Sequence, residues 1–347
     1  MLPIEKLKQV ATVCTHEYCS DGTASAMLLV DALTALNGTK PEVIFLNYNT
    51  VELRDLKAHP GMLFCDFAPP SERVNEFRDV GTIVLDHHKY ARGVVEAFGE
   101  NGVFGDEVKD PGVSGAVLAY REVWEPVKKF LVEQRITDRM WLDTENAAIA
   151  RDLYEHEAEN AKKFATLIGI RDTWQRQDPR WDEACKNTEV VRFYPPQEWM
   201  IDRPFSYTKY DWWRNREEVG QLLINKTKDR VEKGIKSALQ FTVQGVRVTV
   251  LSGTSSITSD SAEALGDTTD FVVGFHYPGI EEGKAKIVFS TRSHTDFDCG
   301  KFCKSLGGGG HTKAAGFTVP FDPFGDTPNP YQLIRSLLDT YLNGTAC

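Results

Sequence analysis

Positions 83–88 of this 347-residue chain read Ile-Val-Leu-Asp-His-His, an apolar run that ends in a carboxylate, Asp86, and two imidazoles, His87 and His88. A short buried strand has little reason to end in three side chains that can all bind a metal. The design recurs twice upstream: 10–15 runs into His16 and then Asp21-Gly22, and 62–65 runs into Asp66. In open α/β sheets ligands sit just beyond the carboxyl ends of the strands. Each ending has an ordinary reading when taken singly. Asp66 suits a turn, Asp21 suits a helix cap, and a lone His is commonly a satisfied core or surface group. Three such endings before position 90 instead predict one metal site of mixed imidazole and carboxylate donors.

A second cluster lies near the other end. Phe289-Ser290-Thr291-Arg292-Ser293 is followed by Gly307-Gly308-Gly309-Gly310-His311 and then Ala314-Ala315-Gly316-Phe317. By composition alone the glycine run reads as a flexible linker. Its flanks argue otherwise, because a helix-like 297–306 precedes it and a strand-like 317–319 follows. Consecutive glycines let backbone N–H groups converge on an anion without Cβ clashes. Arg292 offers a planar fork suited to phosphate, and His311 can stack on or hydrogen-bond to a nucleotide. No GxxxxGK[ST] loop occurs. The candidate substrate-binding residues are therefore Arg292, Ser293, Gly308, Gly309, Gly310 and His311.

The elements that must position these residues alternate in the first part. Strand-like runs are separated by helix-like stretches at 23–36, 71–78, 114–124 and 146–167, which predicts parallel βαβ units. The segment 178–213 carries four tryptophans and several prolines and reads as an irregular packed insertion. A long charged helix is expected at 217–239. After it a hairpin at 241–251 and strands at 271–275 and 286–289 begin a fresh β-rich unit. The boundaries expected are 1–216, a connecting helix 217–240, and 241–347.

Composition limits the function classes. The formal net charge of −10 argues against a protein that grips duplex DNA through many phosphate contacts. The acid is uneven: 241–320 carries seven Lys/Arg against eight Asp/Glu, so the remainder holds almost all of the excess. That distribution suits a cation-binding first part and a second part less repellent to anions. No apolar run approaches membrane-spanning length, and the start lacks the pattern of a secretory leader. Seven dispersed cysteines, with Cys299 and Cys303 at helical spacing, predict reduced thiols and a cytoplasmic protein.

Asp86-His87-His88 resembles the signature of the DHH phosphoesterases, the superfamily of RecJ-type nucleases, oligoribonucleases, cyclic-dinucleotide phosphodiesterases and family II pyrophosphatases. His16-x-x-Cys19-x-Asp21-Gly22 resembles their first motif and Asp66 their second, while the Arg292 strand with the GGGH and AAG elements resembles the DHHA1 domain. The resemblance spans about 11–317. It implies an α/β fold: an N-terminal parallel-sheet DHH domain joined by a helix to a smaller α/β DHHA1 domain, with the active site in the cleft between them. It also implies two Mn2+ ions, with Mg2+ or Co2+ as alternatives. Asp66 would bridge them, His16 would hold one, and Asp21, His87 and Asp172 the other. Asp138 and Asp143 are rivals of Asp172 for that place. Asp86 would orient an imidazole, and His88 would hydrogen-bond a phosphate oxygen. One departure stands out: most members carry two aspartates in the first motif, and Cys19 occupies the first of those places. Either its thiolate ligates, or Glu17 replaces it, or the first cation is held weakly, which is the reading preferred here.

The activity these features imply is hydrolysis of short oligonucleotides or linear dinucleotides such as pApA to mononucleotides, by a water activated between two metals. Exopolyphosphatase or pyrophosphatase activity on phosphoanhydrides is the alternative enzyme, and a non-catalytic nucleotide sensor the alternative from another class. The expected partner is a short single-stranded nucleic acid or small nucleotide, without a membrane, with a homodimer as one arrangement.

Overall fold

The computed structural model describes the chain except residues 1, 18, 48–50, 139–143, 201–203, 206–210, 279, 282–283, 311, 323–324, 326–327 and 345–347. For 135–138, 144–147, 150, 211–214, 280–281, 284 and 310 only the backbone is described. The chain divides into two compact units, Met1–Ile224 and Asn225–Cys347.

The first unit is built on five strands: β1 (Thr12–His16), β2 (Glu42–Leu46), β3 (Met62–Cys65), β4 (Ile83–Asp86) and β5 (Gly102–Phe104). They form an all-parallel sheet in the order β2-β1-β3-β4-β5. Strand alternation sends Val13, Leu63, Cys65, Ile83 and Leu85 into one core and Cys14, Met62, Phe64 and Val84 into the other. A parallel sheet covered on both faces has apolar interior strands, so charge can emerge only at their ends. The expected alternation of strands and helices is observed. β2 and β5, which the sequence pattern did not single out, complete the sheet.

The helix Ser20–Asn37 packs against the sheet with its first fourteen residues buried. Beside it runs a composite helix: an α segment Gly115–Ala119, a π turn Tyr120–Trp124, and a second α segment Glu125–Asp138. At the end of the π turn Trp124 Nε1 donates to Asp31 Oδ2 at 2.7 Å, and one turn on Lys128 Nζ pairs with the same oxygen at 2.9 Å. The helix Thr144–Asp172 follows. The expectation of an irregular insertion over 178–213 is corrected, because Trp181–Phe193 is a helix that buries Ala184, Val190 and Val191. The segment's prolines all lie outside this helix: Pro179 precedes it, and Pro195, Pro196 and Pro204 follow it. The connecting helix occupies Asp211–Lys236 and contributes to both units.

The second unit holds β6 (Leu239–Val243), β7 (Val246–Ser252), β8 (Phe271–His276), β9 (Ile280–Glu281), β10 (Lys284–Arg292), β11 (Gly309–Gly310) and β12 (Ala314–Phe321). The sheet runs β11-β12-β10-β8-β7-β6, with β9 on β10 and only the β7–β8 pair parallel. Gln244 at φ 48° and Gly245 at φ 86° close the β6–β7 hairpin with two left-handed residues, the geometry that matches strand twist. The core of this unit gathers Phe271, Phe289, Phe302 and Phe317.

Candidate metal centre

The pairing register decides which side chains meet. Thr15 pairs with Cys65, and Cys65 with Leu85, so the next residue on each strand, His16, Asp66 and Asp86, falls on one row at the carboxyl edge. Asp66 leaves its strand at φ 57°, a left-handed conformation that aspartate tolerates better than most residues. Its side chain is 1% exposed, and Asp86 is fully buried.

Asp21, also fully buried, stands in the first turn of Ser20–Asn37 and faces the start of the Gly115–Ala119 segment. Oδ1 accepts from Ser114 Oγ and Ala116 N–H, both at 2.8 Å, and Oδ2 accepts from Gly115 N–H at 2.6 Å. A helix N-terminus thus neutralises and orients this carboxylate. Gly115 is required by close approach: a Cβ there would lie 2.4 Å from Asp66 Cβ and 3.0 Å from Asp21 Oδ2.

Around His87 the carboxylates converge. Its Nε2 lies 3.3 Å from Asp66 Oδ1 and 3.6 Å from both Asp21 Oδ2 and Asp172 Oδ2, while Nδ1 meets Glu107 Oε1 at 3.0 Å. Burial draws the imidazole pKa down, but the bonds to Asp66 and Glu107 and the charge of Asp21 outweigh it and push it up to about 12. Asp86 Oδ1 accepts from His87 N–H at 2.7 Å and His88 N–H at 3.1 Å, and meets His88 Nδ1 at 2.7 Å. For His88 too burial lowers the pKa, and the bond to Asp86 overrides it and raises it. His16 is drawn down by burial and then by the charge of His88, its ring 6.2 Å from that of His88.

Burial and then the charge of Asp21 hold the Asp66 carboxyl well above the ordinary range, and push that of Asp172 up to about 6. The cause is plain: several carboxylates share one buried space. Asp66 Oδ2 and Asp86 Oδ2 are buried without a hydrogen-bond partner, which is costly unless a cation lies against them. Donor atoms fall into three sets, each within 4.8 Å: His16, Cys19 and Asp66; Asp21, His87 and Asp172; and Asp66, Asp86, His87 and His88. Asp66 and His87 recur across the sets. These residues fit a divalent-cation centre on donor chemistry and on the unpartnered oxygens alike.

Cys19 therefore sits with His16 and Asp66, its thiol pushed up to about 12 by burial and then by Asp172 and Asp21. Glu17, the substitute considered for it, instead accepts from Asn47 Nδ2 at 2.9 Å. Asp143 and the side chain of Asp138 lie outside the described residues. Sequence reasoning passed over Glu107, Ser114 and Gly115. The available signal was Ser-Gly opening a helix, which marks a cap but not the carboxylate it would hold.

The second candidate cluster lies in the second unit. Arg292 Nε donates to Ser259 Oγ and Nη1 to Thr291 O, each at 2.8 Å, and burial lowers its pKa. Ser293 is 3% exposed and its Oγ donates to Thr295 O at 3.2 Å. Gly308 N–H donates to Cys303 O at 2.8 Å, and a Cβ at this position would lie 2.2 Å from Gly316 O. That residue has a packing role. Gly309 and Gly310 pair with Gly316 and Ala315 as strand β11, and a Cβ on Gly309 would meet nothing within 4 Å. The run is thus ordered, not a linker. His311 lies outside the described residues.

No protein-family model and no curated protein matches the chain. Among solved structures it is similar to the DHH domain of a protein described as a member of a family of ribosomal proteins, at 12% identity and a TM-score of 0.56. That match covers 98% of this chain and 87% of the other. It is also similar to exonuclease RecJ bound to manganese, at 15% identity, 96% and 90% coverage and a TM-score of 0.46. A pGpG-specific phosphodiesterase from Vibrio cholerae matches at 13% identity, 97% and 99% coverage and a TM-score of 0.34. The first of these likenesses shows that the chain has the DHH-domain fold.

Proposed function

We propose that the protein is a metal-dependent phosphodiesterase that cleaves short oligonucleotides or linear dinucleotides such as pApA to mononucleotides. The observation that carries this reading is the meeting of buried Asp21, Asp66, Asp86 and His87 with half-buried His16 and His88 at the carboxyl edge of the sheet, with Asp66 Oδ2 and Asp86 Oδ2 unpartnered. The ordered DHH-type and DHHA1-type motifs support it. His16, Asp21, Asp66, His87 and Asp172 would hold two divalent cations, with Cys19 beside the first. Mn2+, Mg2+ and Co2+ all suit such a shell. Bound there, divalent cations would activate water and offset charge on the phosphoryl oxygens.

The chain's own groups have separable tasks. Glu107 fixes Nδ1 of His87, so Nε2 is the nitrogen turned to Asp21, Asp66 and Asp172. Asp86 does the same for His88, whose side chain keeps 28% of its surface and can hydrogen-bond a phosphate oxygen through Nε2. Arg292 is the residue we assign to capture of the substrate's nucleotide. All six described cysteines are unbridged, which suits a reducing compartment such as the cytoplasm. Among the described residues no helix is long and apolar enough to cross a membrane.

Purified protein with Mn2+ should hydrolyse bis-p-nitrophenyl phosphate and convert tetraadenylate and pApA to AMP. Release of phosphate from polyphosphate with intact tetraadenylate would instead support the phosphoanhydride reading. Nucleotide binding without turnover of any of these would make the protein a sensor.

A further inference from the structure

Two residues past Asp172 the backbone does something costly. The helix Thr144–Asp172 ends in a cap in which Gln175 N–H donates to Ile170 O at 2.9 Å and Trp174 N–H to Arg171 O at 3.4 Å. Such a cap needs one left-handed residue, and glycine commonly fills it because a Cβ is strained there. Here Trp174 takes the position at φ 56°. Its side chain is not returned to the core, since 47% of it stays exposed. The indole is thus held in a glycine conformation and left half-exposed. Strain of this kind gathers at ligand-binding sites.

What surrounds the indole points to an anionic aromatic ligand. The Arg171 guanidinium lies 4.3 Å from the Trp174 ring centre and 5.3 Å from that of Trp181, and Arg176 lies 5.0 Å from Trp174. The two indoles are 6.1 Å apart, and Trp181 rests on buried Leu167, Ile170 and Ala184. The group is thus anchored through Trp181, while Trp174 keeps about half of its surface exposed. In a chain of net charge −10, two arginines stand within four residues of Asp172 in sequence. Only about 7.6 Å of backbone separates Trp174 from Asp172.

We propose that Trp174, with Arg171 and Arg176, forms a nucleotide subsite beside the metal centre. The base next to the scissile phosphodiester stacks on the indole, and the guanidiniums take the adjoining phosphate. The assignment rests on the phosphodiesterase reading and adds a base-binding element within the first unit, distinct from Arg292. Stacking of this kind accepts any base, because every base has a π face. Arginine adds planar stacking and paired donors for phosphate.

Trp174→Gly tests this, because glycine adopts the left-handed cap freely and the variant should melt no lower than wild type. The probes are tetraadenylate, the same tetramer with abasic residues in place of the adenylates, and AMP, which has no diester to cleave. Wild type with Mn2+ should show a KM for tetraadenylate about tenfold below that for the abasic tetramer. Trp174→Gly should erase the difference and weaken AMP binding by calorimetry, while Trp174→Phe keeps most of both. Phe193→Ala, which removes an exposed aromatic at the far end of Trp181–Phe193, should change neither. A Trp174→Gly enzyme that still prefers the adenylates, or one that loses both tetramers equally and melts lower, overturns the subsite. If wild type cleaves no phosphodiester, the phosphodiesterase reading fails. AMP calorimetry then decides the subsite alone: weaker binding in Trp174→Gly upholds it, and equal or absent binding in both proteins overturns it.

Discussion

Gly115→Ala is a one-methyl change that strikes two candidate metal ligands at once. The added Cβ would sit 2.4 Å from Asp66 Cβ, 2.9 Å from Ser25 Oγ and 3.0 Å from Asp21 Oδ2. Carbon atoms rest about 3.5 Å apart at closest comfort, so the helix start and Asp66 must separate by about 1.1 Å. Neither side yields easily. Gly115 and Ala116 N–H hold Asp21 at 2.6 and 2.8 Å, and Asp66 N–H is fixed to Leu85 O at 3.0 Å. Overpacking of this degree costs about 1–3 kcal/mol, and a misplacement of about 1 Å in a catalytic group costs on the order of 100-fold in rate. The expected outcome is that loss in Mn2+-dependent hydrolysis of bis-p-nitrophenyl phosphate, with weaker Mn2+ binding by calorimetry and a moderately lower Tm. Gly93→Ala is the matched control, since a Cβ there meets nothing within 4 Å. It should behave as wild type or melt slightly higher. Wild-type turnover and Mn2+ affinity in Gly115→Ala would refute the placing of Gly115 against the centre.

Asp66→Asn should reduce hydrolysis to background while keeping a residue that tolerates φ 57°; turnover at saturating Mn2+ would sink the shared-ligand reading. Cys19→Asp should lower the Mn2+ concentration for half-maximal activity and Cys19→Ser should be nearly neutral. Calorimetric loss of one metal equivalent in the serine variant would make Cys19 a thiolate ligand. The bonds to Asp66 and Glu107 push the His87 pKa up to about 12, and only the neutral imidazole ligates. Mn2+ binding near pH 8 should therefore release protons, and affinity should rise with pH. Equal heats in two buffers of different ionisation enthalpy would contradict it.

The parts of the centre legible in the sequence are those carried by one strand each. Thr12–His16, Met62–Cys65 and Ile83–Asp86 are apolar because both faces of the sheet are covered, so the change to ionisable residues marks the edge without any knowledge of the fold. Glu107 and the Ser114 cap were not legible, since each acts across the chain: Ser114 meets a carboxylate 93 residues away, and nothing local distinguishes it from any helix start. β5 spans three residues and β2 alternates only weakly in burial, too little periodicity to read. The helix Trp181–Phe193 was obscured by prolines that turn out to lie outside it. The glycine run read as an anion nest, and Gly308 proved to have its N–H committed to Cys303 and its missing Cβ demanded by Gly316.

The π turn at Tyr120–Trp124 sets the rotational phase between two grips on the helix Ser20–Asn37. At one end of the composite helix Ser114, Gly115 and Ala116 hold Asp21, and at the far end of the turn and just beyond it Trp124 and Lys128 hold Asp31. One residue more or fewer in an α-helix rotates everything beyond it by about 100°, so both grips engage together only with the widened turn between them. Length in this stretch is therefore constrained even at positions such as Arg121, whose side chain takes no part in either grip. A one-residue deletion within 120–124 would pull Asp21 out of true from a distance, although the deleted residue touches no ligand, whereas a conservative replacement at Arg121 would pass unnoticed.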